Sequence, residues 1–127
     1  MNKIYLSGIV AEPLMWHTRE TAPKHAAFPL CVSHKTKQGL MKRELYSIQT
    51  WNGVAEWARD NLKQGQRVML QGYLTQRRIT QPDGKIRIEA EVTAEEFFPA
   101  FGGMEPRADR QDKQMEEPAS CDKAAAV

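Results

Sequence analysis

The passage from Lys63 to Leu74 constrains the fold more than any other stretch of the 127 residues. Gly65 punctuates the end of a helical run, and a strand follows. In that strand Val68 and Leu70 face one way, and Arg67, Met69 and Gln71 the other. Gly72 interrupts it, where a missing side chain marks a bulge or a sharp bend. Thr75 to Ile79 then turns through Gln81-Pro82-Asp83-Gly84 into Lys85 to Glu89. A bent strand feeding a long basic hairpin is how a small closed barrel acquires its corner and a protruding arm.

The rest of the chain supplies strands to match. Asn2 to Val10 alternates Ile4 and Leu6 with Tyr5 and Ser7, and Leu14 to His17 begins a second, less regular strand. Thr18 to Lys24 reads as a loop or hairpin tip. Ala26 to Ser33 places Phe28, Leu30 and Val32 on one face, with Pro29 where no ladder hydrogen bond is needed. His34 to Arg43 reads as a mobile basic loop, and Glu44 to Trp51 as a strand. In that strand Tyr46, Ile48 and Thr50 alternate with Leu45, Ser47, Gln49 and Trp51. Val54 to Gln64 is the one convincing helix; Val54, Trp57, Ala58 and Leu62 share a stripe, Asn52 is the expected cap and Gly65 the stop. Trp57 reads as barrel-end packing.

Charge divides the chain. Through Gly102 there are 14 Lys and Arg against 10 Asp and Glu, and beyond it 4 against 6. A basic domain over 1–102 with a disordered acidic tail over 103–127 suits a polyanion-facing module with a soluble appendage. Cys31 and Cys121 share no metal-like spacing and are expected as free thiols in the cytoplasm. No apolar run is long enough to span a bilayer, so no membrane association is expected. His17, His25 and His34 lie too far apart in sequence to make a metal site without another ligand, and neither a nucleophile elbow nor a phosphate loop is present. A catalyst or a resident cofactor is therefore not expected. Taken together, the strand order predicts an all-β, five-stranded Greek-key barrel of the oligonucleotide/oligosaccharide-binding kind, with one short helix and an extended basic hairpin.

The ordered series Asn2-Lys3-Ile4-Tyr5-Leu6-Ser7-Gly8, Trp51-Asn52-Gly53-Val54-Ala55-Glu56 and Asn61-Leu62-Lys63-Gln64-Gly65-Gln66-Arg67-Val68 resembles the bacterial single-stranded DNA-binding proteins of the barrel type. Gly72-Tyr73-Leu74 and Pro82-Asp83-Gly84 extend the similarity, which runs from Met1 to Phe98. The resemblance implies sequence-tolerant binding of single-stranded DNA in replication, recombination or repair, and a homo-oligomer, usually a tetramer. Trp51 matches one of the family's base-stacking rings, whereas the other positions hold Thr36, Leu45 and Ile79. The family's acidic C-terminal tip, which recruits replication and repair proteins, has no counterpart here. The passage Gly65 to Tyr73 also resembles a primosomal accessory relative, for which a dimer acting in replication restart is the expectation.

Binding single strands without reading sequence needs cations along the phosphate path and flat surfaces for unstacked bases. Lys35, Lys37, Lys42 and Arg43 supply cations before Trp51, and Arg77, Arg78, Lys85 and Arg87 supply them on the hairpin. Trp51 is the expected platform, with Trp16 or Tyr73 assisting. A module that contacts only proteins is the competing expectation, and it requires no salt-sensitive binding to oligonucleotides.

Overall fold

The computed structural model describes residues 1–98. The acidic tail expected over 103–127 lies outside the described residues. The elements are β1 (Ile4–Val10), β2 (Met15–Arg19), β3 (Ala22–Lys35), β4 (Met41–Trp51), α1 (Asn52–Asn61), β5 (Arg67–Thr80) and β6 (Ile86–Phe97). The sheet order is β1-β5-β6-β4-β3-β2, and a further β1–β3 pairing closes it into a ring. Five strands form that ring and short β2 lies along β3, so the expected all-β barrel with one short helix is what the chain builds. All pairings are antiparallel except β4–β6, which joins Ile48 to Val92 and Gln49 to Thr93. Among the described residues no helix is long and apolar enough to cross a membrane.

The two-residue period of the strands selects the core. Phe28 and Leu30 of β3, Ile48 of β4, Leu70 of β5 and Val92 of β6 all point inward and are buried. Thr50 is equally buried, and its hydroxyl donates to the Ala26 carbonyl at 2.7 Å, which satisfies the one polar group on that inner row. Helix α1 closes one end of the barrel with Ala58 and, just beyond it, Leu62. Trp57 stacks on Phe97 there at 5.4 Å, the packing role expected for it.

Three local features differ from expectation. The helix spans Asn52–Asn61, and the residue preceding it, Trp51, caps it without a side-chain hydrogen bond. Asn52 adopts φ +54°, a left-handed conformation that Asn tolerates, so it makes the corner out of β4 rather than the cap. The helix stops because Leu62 turns extended to bury its side chain, while Gly65, at φ +87°, serves the turn into β5. The second difference is the basic loop. Strands β3 and β4 stay paired as far as Lys35 and Met41, leaving only Thr36 to Leu40 as a turn. Ladder hydrogen bonds use the backbone, so a polar sequence does not end a hairpin whose register is already set. By the same logic β3 begins at Ala22, with Pro23 beside an irregularity in the β2 pairing. The third difference is Cys31, which is disulfide-bonded rather than free; Cys121 lies outside the described residues.

Gly72 sits where the β5–β6 register slips, between Gln71 and Gly72. A Cβ there would lie 2.0 Å from the Thr93 carbonyl oxygen, a backbone atom that cannot rotate away. Strand β5 bends onto β6 at this point because nothing projects from it. Gly72→Ala should therefore lower stability by about 2 kcal/mol. Gly53→Ala, in the first turn of α1 with open space around it, should be neutral or raise stability by about 0.5–1 kcal/mol. Urea midpoints of the two variants should move in these directions.

Candidate nucleic-acid interface

Because β4 and β6 run parallel, the β3–β4 and β5–β6 hairpins project from the barrel at the same end. Each arm has two faces, and cross-strand partners share a face. His25 pairs with Trp51, Ala27 with Gln49, Pro29 with Ser47, Ser33 with Arg43 and Lys35 with Met41. On the other arm Tyr73 pairs with Thr93, Thr75 with Glu91, Arg77 with Glu89 and Ile79 with Arg87. The Gln49–Thr93 pairing joins these two sets into one outward face across β3, β4, β6 and β5.

Trp51, Lys35, Arg43, Arg77 and Arg87 therefore lie on one face. Trp51 is 45% exposed although it belongs to a strand of the barrel wall. Lys42 and Arg78 lie on the opposite faces of their arms, paired with His34 and Ile88 respectively. Lys37 and Lys85 sit in the turns at the arm tips. Trp16 pairs with buried Ala26, on the core-side face of β2, and the Arg59 guanidinium lies 4.5 Å from its ring centroid. The structure thus separates Trp16 from Trp51, and Arg78 from Arg77. Tyr73 joins the Trp51 face, half-buried beside Thr93.

A chain of side-chain contacts crosses this face. His25 Nε2 lies 2.6 Å from Gln49 Oε1, and the Gln49 amide nitrogen donates to Ser47 Oγ at 2.8 Å and to Glu91 Oε2 at 3.4 Å. With its nitrogen committed as donor, Gln49 accepts through Oε1, so His25 donates from Nε2. Arg77 Nη1 reaches Glu91 Oε2 at 3.6 Å. The Glu91 side chain is 15% exposed and that of Arg77 61%. An ion pair this open is worth at most about 1 kcal/mol, which leaves the guanidinium free to exchange partners. Arg87 pairs with Glu89 at 3.2 Å in the same exposed manner. The other face of the β3–β4 arm carries a separate cluster. The Tyr46 hydroxyl donates to Glu44 at 3.1 Å, and His34 contacts the same oxygen. The Tyr46 hydrogen bond, and then that of His34, hold the Glu44 carboxyl below its ordinary value.

His25, Gln49 and Glu91 carry no signal in a linear reading, since a polar strand residue is ordinarily a wet one. Only the three-strand register brings them together. Strand parity, by contrast, already separates Arg77 from Arg78.

The geometry presents an exposed indole at one end of the outward face, with cations on the same side of two neighbouring arms and the apolar Cys31–Leu45 pair between. It offers no cluster of three metal-ligating side chains among the described residues. A single-stranded DNA-binding protein from Caldanaerobacter subterraneus subsp. tengcongensis is 27% identical over 123 residues, covering 92% of this chain and 81% of the relative. The model of the single-strand binding protein family matches residues 1–99, which takes in the whole of the barrel and its arms. The chain therefore belongs to the single-strand binding protein family.

Proposed function

We propose that this protein binds single-stranded DNA without sequence preference and protects or presents it during replication, recombination or repair, in the cytoplasm. One observation carries the reading: the half-exposed Trp51 shares a face with Lys35, Arg43, Arg77 and Arg87, which the parallel β4–β6 contact sets on adjacent arms. An indole gives a base a flat surface, and the arms give phosphates cations on either side. The role is binding rather than catalysis. Lys37 and Lys85 add charge at the tips, whereas Lys42, Arg78 and Trp16 lie off the track. With one clear platform, electrostatics supply most of the affinity.

Homo-oligomer formation belongs to the same proposal. β3 pairs with β1 only at Ile9 and Val10, so the stretch from Ile4 to Gly8 pairs with β5 alone. An edge of that kind is a site for strand pairing between copies. Tetramer and dimer are the two assemblies it accommodates, and light scattering distinguishes them.

Fluorescence titration with oligo-dT and duplex DNA over a series of salt concentrations tests the reading. Preference for the single strand and weakening with salt support it; indifference to oligo-dT in dilute buffer overturns it. Trp51→Ala should weaken oligo-dT binding by about 1 kcal/mol or more, and an unchanged isotherm would make the ring structural. Arg77→Ala combined with Arg87→Ala should reduce the log–log salt slope by about 1.4, at about 0.7 per phosphate. Arg78→Ala alone should leave the slope as it is, and the converse result would move the track to the other face of the arm.

A further inference from the structure

The outward face continues past Trp51, away from the arms. His17 of β2 pairs with His25 of β3, and their rings stack with centroids 5.6 Å apart and planes 22° from parallel. The His25 ring in turn lies 4.3 Å from that of Trp51, tilted by 41°. Rings from three successive strands therefore make one surface. Its middle member is held in place, because His25 Nε2 donates to Gln49. His17 at the outer end is exposed. An open cleft beside the rings is lined by His17, Arg19, Pro23, His25 and Trp51.

Three roles are available to such a pair of imidazoles. Core packing is excluded for His17 by its exposure. Metal binding would need a further ligand, and the described residues offer no group of three. Stacking on a flat ligand fits, since imidazole and indole faces are surfaces on which unpaired bases lie. Arg19 places a cation in the same cleft, where the phosphate of a stacked nucleotide would want one.

We propose that His17 and His25 form a second base-stacking step, so that the single strand runs from the arms over Trp51 and on across the β2–β3 hairpin, with Arg19 at the phosphate. The step rests on the single-stranded DNA reading above and extends it to residues outside the indole-and-arm track. It also supplies flat surface in a chain that has Thr36, Leu45 and Ile79 at other expected ring positions.

The test uses the full chain and the exposed residue, whose one ring contact among the described residues is with His25. Wild type, His17→Ala and His17→Phe are titrated with oligo-dT of about 15 nucleotides and of about 4, the range one barrel of this kind covers. On the longer strand His17→Ala should bind about fivefold more weakly, the lower end of a stacking contribution. His17→Phe should restore the affinity, and on the short strand the three proteins should bind alike. Equal binding of wild type and His17→Ala to the longer strand overturns the second step while leaving the Trp51 track intact. Equal weakness of the Ala and Phe variants overturns it too, because a ring would then not be what matters. An equal loss on both lengths would merge His17 with the Trp51 position and overturn the extension. If wild type binds neither strand, the single-stranded DNA reading falls and this step with it.

Discussion

The parallel contact of β4 with β6 is the constraint on which the rest of the molecule turns. Only Ile48–Val92 and Gln49–Thr93 make it, yet it joins the β3–β4 and β5–β6 hairpins into one sheet. Parallel neighbours cannot be joined by a tight turn. The chain between them is spent on α1, which plugs the barrel, and on β5, which completes the wall. The inner pair of the contact, Ile48 and Val92, is buried at the centre of the core. The outer pair fixes where the two arms stand. Had β6 run the other way beside β4, the basic arms would leave from opposite ends and their cations would share no path.

The same contact organises the chemistry of the outward face. It sets Gln49 within reach of Glu91, while the β3–β4 ladder brings His25 to the same amide, so that one side chain ties three strands together. The Glu91 carboxylate sits amid the cations of this face, and its pairing with Arg77 is open enough to be exchanged. The opposite side of the β3–β4 arm spends its charges internally, on the Glu44, His34, Lys42 and Tyr46 cluster. Each arm thus has two unlike sides, and only one faces the indole.

Much of this is legible in the sequence. Alternation in Phe28-Leu30-Val32 and in Ile48-Thr50 marks the inward rows, because a half-buried strand must alternate, whereas Tyr46 continues the second row out along the arm and is exposed. Gly72 announced the bend, since only a residue without Cβ can lie against the Thr93 carbonyl. The element boundaries are less legible. The run from His34 to Arg43 looks like a loop by composition, but backbone pairing carries the hairpin through it regardless of side chain. Asn52 has the chemistry of a cap and is instead the corner residue, because its left-handed φ of +54° turns the chain out of β4 directly after Trp51.

What the sequence determined by itself was the class of fold, the single helix, the inward rows and the inventory of cations and rings. Those follow from periodicity and side-chain chemistry, which are local. What only the tertiary structure decided was company: Trp51 with His25 and His17, Gln49 with Glu91, and Trp16 turned away beneath Arg59. Such neighbours are set by strand register and by the closure of the ring. Both are negotiated between segments far apart in the chain, so no window of residues contains them.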